Sequence, residues 1–383
     1  MAAWIMCSVL LSWALLTNAY PFEDERFTPE EIAAFLSERV MTQSTIPVED
    51  SSFDTSNQGL GTVASVDVDS NGDLFVFHRA DRPWTENTFE ETSNKLSAQA
   101  REPISKDTIY KLDSTTGRLI SSFGANIFNV PHGLSIDGHD NIWVTDVGRH
   151  QVFRIPENSS TPDLVLGEQF VPGSDDTHFC KPTDVAVASN GEFFISDGYC
   201  NSRILKFSKD AKVIAQWGTQ TTSENLTPFT LNIPHSVTLV EELDLVCVAD
   251  RENNRALCYN AGLGDNKAAG TFNRTVVPED DAGKIFAIDY NRADEEIVVA
   301  SGIAEEPYRS VDDEIIFPPR AFTYTLDGQQ KSAWAYITPE IARDGPSAIH
   351  DLVASKDGQS YYLADLDQQK VFKYTKSPLD LTA

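Results

Sequence analysis

Short runs in which apolar and polar residues alternate, broken by Asp, Asn and Gly, recur along most of this chain. Residues 131–155 read PHGLSIDGHDNIWVTDVGRHQVFRI, and a period of two bounded by turn residues marks half-buried strands. The same order returns as KPTDVAVASNGEFFISDGYCNSRILKF at 181–207, IPHSVTLVEELDLVCVADRENNRALCY at 233–259 and IHDLVASKDGQSYYLADLDQQKVFKY at 349–374. Looser copies begin at Val63 (VASVDVDSNGDLFVFHRA) and Ile285 (IFAIDYNRADEEIVVASG). Each copy has an alternating strand, a turn, a second strand ending near Asp, a polar loop and a third strand. Helical periodicity is absent from all of them.

Units of about 50 residues with three or four short strands are the signature of β-propeller blades. Six copies between Val63 and Tyr374 predict an all-β, six-bladed propeller of the NHL type. Each blade buries its faces only against its neighbours, so the ring is one cooperative unit. The expected organisation is a signal peptide at 1–19, an acidic N-terminal arm at 20–55, the propeller at 56–378 and a short tail at 379–383. Thr28-Pro29-Glu30-Glu31 reads as a capping box opening a short helix in the arm. The charged stretch 81–106 reads as a long loop off blade 1.

A net charge of −28 repels phosphate backbones and anionic lipid, which argues against nucleic acid as a partner. The apolar run from Trp4 to Leu16 is too short to span a bilayer. It is followed by Thr17 and Ala19, small residues at the −3 and −1 positions of a signal-peptide cut, although a basic flank is missing. No membrane span is expected, and the chain reads as secreted or lumenal. Four cysteines remain beyond Cys7, an even set suited to an oxidising compartment. Asn158, Asn225 and Asn273 open N-glycosylation sequons that matter only on that route.

The repeat register carries chemistry. His132, His235 and His350 occupy one position of the repeat, in blades 2, 4 and 6, where blades 1 and 3 carry Ala64 and Thr183 and the fifth copy is too degenerate to align. First strands of blades line the central channel, so alternate blades place three imidazoles around the axis. Such a facial N₃ set with an open position has the form of a catalytic zinc site. The plainer alternative for any one histidine is a core residue with its hydrogen bonds met, and it stands for His78, His139, His150 and His178. Asp351 lies beside His350, and Leu134 and Val66 align with Leu352. Two carbonyls and a carboxylate are hard ligands suited to calcium, although an Asp at a blade mouth also caps turns.

The loop between second and third strands opens on the same face. It brings Arg79 in blade 1, Tyr199 in blade 3 and Arg251 in blade 4 toward the histidines. Guanidinium suits a carboxylate-bearing substrate, and a phenol beside metal and arginine charge becomes a base. Simple alternatives are an ion pair within Asp250-Arg251-Glu252 and packing for Tyr199. Among three possible cysteine connectivities, only Cys180–Cys200 with Cys247–Cys258 keeps each bridge within a blade, each bracing a loop that carries one of these groups.

The strings Pro131-His132-Gly133-Leu134-Ser135-Ile136-Asp137, His178-Phe179-Cys180-Lys181-Pro182-Thr183-Asp184, Ser196-Asp197-Gly198-Tyr199-Cys200-Asn201-Ser202-Arg203 and Cys247-Val248-Ala249-Asp250-Arg251-Glu252-Asn253 resemble peptidyl-α-hydroxyglycine α-amidating lyases. The resemblance runs from about Val63 to Tyr374. It implies zinc on His132, His235 and His350, calcium on the Val66 and Leu134 carbonyls with Asp351, catalysis by Tyr199, Arg79 and Arg251, and the two disulfides above. It further implies cleavage of the C–N bond of peptidyl-α-hydroxyglycine to a peptide amide and glyoxylate, with substrate supplied by a separate copper monooxygenase. Arg79 is expected to hold the substrate carboxylate and Arg251 to keep Tyr199 acidic, the exchange of roles being open. The stretch before the first blade is too short for a monooxygenase domain, so a stand-alone, monomeric lyase is expected. Ala348 stands where the family typically has Met, which alters packing beside the histidines. The rival readings are a calcium-dependent lactonase-like propeller and a non-enzymatic NHL-type binding module.

Overall fold

The computed structural model describes residues 45–222, 226–279, 281–302, 308–309, 315–316, 321–335 and 347–378. Its principal sheets are six antiparallel sheets of four strands, one for each predicted blade. From the axis outward, blade 1 runs Val63–Val68, Leu74–His78, Ile109–Leu112 and Leu119–Phe123. Blades 2 to 5 repeat that order around innermost strands Pro131–Ile136, Asp184–Val187, Pro234–Val240 and Ile285–Asn291.

Blade 6 is assembled from both ends of the described chain. Ile349–Ala354, Ser360–Asp365 and Lys370–Pro378 are joined at the outer edge by Thr45–Glu49, with Thr45 opposite Pro378 and Glu49 opposite Tyr374. The sequence pattern had put residues 45–49 in the N-terminal arm. A strand of five residues containing Pro47 carries little periodicity of its own, and proline is tolerated only on an edge such as this one. The predicted signal segment, the helix at 28–31, the tail at 379–383 and Asn225 lie outside the described residues. Among the described residues, no helix is long and apolar enough to cross a membrane.

The period-two alternation explains why the ring holds together. In blade 1, Leu74 and Val76 pack on Val353 and Leu363's neighbours Tyr362 and Ala364 of blade 6, while Phe75 and Phe77 pack on Val144 and Phe153 of blade 2. Equivalent mixed clusters fill the four remaining seams. No blade can bury both faces alone.

The aspartate that ends the second strand of blades 2, 3, 4 and 6 has a clear structural task. Asp146 accepts from the backbone N–H groups of Asn129, Val130, Gly148 and Arg149. Asp365 does the same for Ser347, Ala348, Asp367 and Gln368. These contacts fix the loops on the face where the histidines open. In blade 1 the place is taken by His78, whose Nδ1 accepts from Gly61 and Ala80 at 3.2 and 3.1 Å. The predicted long loop follows directly, and it is anchored by fully buried Leu96 against Val130 and Val147.

Candidate metal centre and active site

His132, His235 and His350 are the second residues of innermost strands, inside the strands and not immediately before them as the repeat pattern suggests. In each of these blades the pairing with the second strand slips at that point, between Pro131 and Leu134, Pro234 and Ser236, and Ile349 and Asp351. A bulge takes a residue out of the ladder and re-aims its side chain. The three imidazoles meet at the axis, with ring centroids 4.6–4.7 Å apart. One nitrogen from each lies within 4.8 Å of the other two, and all three residues are buried.

The second nitrogen of each ring defines the tautomer. Nδ1 of His132 donates to the Thr183 carbonyl at 2.8 Å, that of His235 to Phe286 at 2.6 Å, and that of His350 to Ala64 at 2.7 Å. Blades 2, 4 and 6 thus supply the imidazoles, and blades 3, 5 and 1 the carbonyls that orient them. With Nδ1–H engaged, each Nε2 presents a lone pair to the axis. Burial above all, then neighbouring positive charge, pushes the three histidines far below the usual imidazole range, His350 to about 3. A neutral, pre-oriented N₃ set fits a zinc ion.

Tyr199 closes the open side. Its hydroxyl lies 3.0 Å from Nε2 of His132 and 3.2 Å from Nε2 of His235. The loop can approach this closely because residue 198 is glycine: a Cβ there would stand 2.2 Å from the Pro234 carbonyl oxygen. Gly133, beside His132, is required in the same way, since its Cβ would meet the Thr183 carbonyl at 2.3 Å. The Cys180–Cys200 bridge fastens the Tyr199 loop, with Cα atoms 5.4 Å apart. Burial raises the Tyr199 phenol, while the charges of Arg251 and Arg79 pull it down. The two arginines act in the predicted direction, but burial outweighs them.

The arginines are not equivalent. Arg79 is 3% exposed, gives Nε to the Pro131 carbonyl at 2.9 Å and leaves Nη2 buried with no partner. Arg251 is ion-paired, with Nε and Nη2 both 2.9 Å from Oε1 of Glu252, whose Oε2 also meets Lys284 Nζ at 3.1 Å. Each guanidinium lies against an aromatic ring, Arg79 5.2 Å from Trp84 and Arg251 4.8 Å from Phe286, and Arg251 is also 5.4 Å from the Tyr199 ring. Cys247 and Cys258, directly opposite on the strands flanking the Arg251 loop, form the second bridge.

On the axis beyond the histidines lies a cavity of about 430 Å³ whose walls include Val66, Leu134 and Asp351. Asp184 lines it too, although it is not among the residues singled out from the sequence. It stands in the same repeat column as Asp351, so the signal was present in the alignment of the copies. Burial pushes Asp184 up to about 7, and burial together with the Asp184 charge raises Asp351 further. Ser65 donates its hydroxyl proton to Asp351, and the same oxygen lies 3.3 Å from the Leu134 carbonyl, so these three elements share one site. Oxygen donors with uncompensated negative charge fit a calcium ion.

The remaining histidines stand apart from the trio, and His78 and His150 each leave Nε2 buried with no hydrogen-bond partner, so their hydrogen bonds are only half met. His78 and His150 are buried Nδ1 acceptors, His150 from the Lys181 N–H at 3.0 Å. His178 pairs with Asp175 at 2.9 Å on the surface, and His139 is an exposed turn residue. Asn158 and Asn273 are exposed, as a glycan acceptor must be. Ala348 is buried, its N–H held by Asp365 at 2.9 Å. Besides Asp184, whose repeat column holds a signal, two residues around the histidines carry none in the sequence: Phe286, in the copy too degenerate to align, and Trp84, in a loop with no repeat to compare.

The NHL repeat family model matches residues 128–155 and 179–207, within blades 2 and 3. The chain is 46% identical over 246 residues to peptidyl-α-hydroxyglycine α-amidating lyase 2 of Drosophila melanogaster, covering 63% of this chain and 58% of that protein. It is 35% identical over 352 residues to lyase 1 of the same organism, covering 88% of this chain and 62% of that one. The peptidylglycine α-amidating monooxygenase of Rattus norvegicus is 39% identical over 320 residues, 82% of this chain and 30% of the rat protein. The chain thus spans less than two thirds of the length of each.

Proposed function

We propose that this chain, which belongs to the peptidyl-α-hydroxyglycine α-amidating lyase family, cleaves peptides ending in α-hydroxyglycine to the peptide amide and glyoxylate. The observation that carries this reading is the meeting of two kinds of group at one point, with a third nearby. Three imidazole Nε2 atoms and one phenol surround the same space, and the Arg79 guanidinium, its Nη2 without a partner, lies near enough for its charge to act on His132, His350 and Tyr199.

The substrate carboxylate is held by Arg79, whose free Nη2 offers a charged donor with no competing partner. The α-hydroxyl then points to the histidine trio and to Tyr199. His132, His235 and His350 would hold a zinc ion here, which would supply positive charge to polarise the hydroxyl and favour the phenolate form of Tyr199. Tyr199 takes the hydroxyl proton. The electron pair left on oxygen forms the C=O of glyoxylate as the C–N bond breaks, and the departing amide nitrogen takes a proton back from Tyr199. Arg251, ion-paired with Glu252 but facing the phenol ring, biases Tyr199 toward its charged form. The carbonyls of Val66 and Leu134 with Asp351, which line the cavity beyond the histidines, would hold a calcium ion between the inner strands of blades 1, 2 and 6 and so serve a structural role.

The disulfides, and the similarity to a relative named peptidylglycine α-amidating monooxygenase, support a place in the secretory pathway, downstream of a copper enzyme that hydroxylates peptidylglycine. The test is direct. Purified protein incubated with a synthetic peptide ending in α-hydroxyglycine releases glyoxylate and the peptide amide in equal amounts; release no faster than in buffer rejects the proposal.

A further inference from the structure

Trp84 is held by contacts that no blade repeat requires. It lies in the loop between the second and third strands of blade 1, which no other blade matches in sequence. Its ring centroid is 5.1 Å from that of Tyr199, 6.4 Å from His132 and 5.3 Å from Phe89, and the Arg79 guanidinium sits 5.2 Å away. It therefore touches three groups that surround the reacting carbon while keeping part of its own surface open. Phe89 backs it, braced by Lys181 Nζ 4.1 Å over its ring and by the bridge to Leu96. The wall is anchored on both sides: Leu96 is fully buried, and Lys181 reaches across from blade 3 to hydrogen-bond Asn94 at 3.0 Å. Trp84, Phe89 and Phe170 with Tyr199 form a partly exposed apolar patch against buried Leu96, Val130 and Val147.

A site for a small polar acid needs no such wall. With carboxylate on Arg79 and hydroxyl at Tyr199, the remaining substituent of the reacting carbon is the amide nitrogen, which leads to the residue before the hydroxyglycine. That residue lies about 3.8 Å further along the chain, within reach of the indole. The opposite wall, Phe286, is less available: it lies against His235 and His350 and carries Arg251, and a Cβ on Gly302 would come within 2.1 Å of its ring.

Resting on the lyase reading, we infer that Trp84, backed by Phe89, is the specificity wall for the penultimate residue of the peptide and selects large apolar or aromatic side chains. Aromatic faces stack favourably on such side chains, and an added apolar group in a fitted pocket is worth at least a tenfold preference.

The test compares α-hydroxyglycine peptides that differ only in a penultimate Phe or Ala. The wild-type protein prefers Phe in kcat/KM by about tenfold or more, and Trp84→Ala reduces that ratio to near one, with Trp84→Phe between. A tryptophan that only supports Arg79 or Tyr199 would slow both peptides equally and leave the ratio at its wild-type value, which overturns the inference. So does a wild-type ratio near one, or a ratio lost in Phe286→Ala and kept in Trp84→Ala. Calorimetric binding of unreactive peptides ending in Phe-Gly or Ala-Gly reads the same preference without turnover. Absent glyoxylate with Phe-Gly still favoured rejects the lyase and keeps the wall; glyoxylate released with no preference in either assay does the reverse.

Discussion

The Nδ1 of His350 donates to the carbonyl of Ala64 across a sequence gap of 286 residues, at 2.7 Å. One contact thereby joins blade 6 to blade 1 and turns the opposite ring nitrogen to the axis. Ring closure and ligand orientation are the same physical event. Removing either partner's geometry should disturb metal affinity before it disturbs the fold.

His350→Ala should accordingly yield a folded protein with zinc well below one equivalent by elemental analysis, since two imidazoles remain where three are needed. Exhaustive dialysis of the wild type against a strong chelator should remove turnover, and added zinc should restore it. Turnover that survives loss of zinc rejects the metal assignment.

Tyr199→Phe deletes the hydroxyl between His132 and His235 while leaving the ring on Trp84. General-base catalysis contributes ~10²–10⁴-fold, so kcat should fall by that range with zinc content unchanged. A mutant as fast as the wild type ends the role given to this phenol.

Arg79 and Arg251 should separate in steady-state kinetics. Arg79→Ala removes the unpaired buried charge and should weaken substrate binding by roughly 2–5 kcal/mol, seen mainly in KM and partly recovered by Lys. Arg251→Ala removes a positive charge beside Tyr199, leaving Glu252 to Lys284, and should act mainly on kcat. The reverse pattern would exchange their roles.

Acid should destabilise the fold through His78 and His150. Burial holds both to about 4, against 6.5 for an ordinary imidazole, and both use Nδ1 as an acceptor. The unfolded chain takes up these protons first, so stability is intact above pH 6.5 and is lost as the pH falls toward 4. Each site contributes ~3 kcal/mol to that loss. His78→Asn keeps an acceptor for Gly61 and Ala80 without titrating, so the drop in urea midpoint from pH 7.5 to 5 (about those values) should shrink. An unchanged drop would acquit His78.

Replacing Cys180 and Cys200 by Ser should cost ~3 kcal/mol for a loop of this length, and Cys247 with Cys258 slightly less. The two pairs should differ in function. Loss of the first frees the Tyr199 loop and should lower kcat beyond what the shift in melting temperature explains.

Much of this was legible in the order of residues. The alternation in each copy required strands, and recurrence every ~50 residues required blades, because no blade could bury its two faces alone. The histidines could be found because they share a repeat column, and so could the Tyr199, Arg79 and Arg251 loops, since a repeating unit assigns each position a face. Asp184 shared a column with Asp351 and could have been found in the same way. Thr45–Glu49 and Trp84 could not: one is a single edge strand and the other an insertion, and neither has a copy against which to compare it.

Local pattern and periodicity therefore determined the blades, their number and the face on which the polar loops gather, because those follow from which side chains must leave water. Tertiary structure alone decided the rest. Bulges turned the histidines to the axis, carbonyls of neighbouring blades chose their tautomer, and Glu252 paired with one arginine while the other stayed unpaired. Those outcomes depend on contacts between residues far apart in the chain, at distances of an ångström or less in tolerance, which a repeat pattern does not encode.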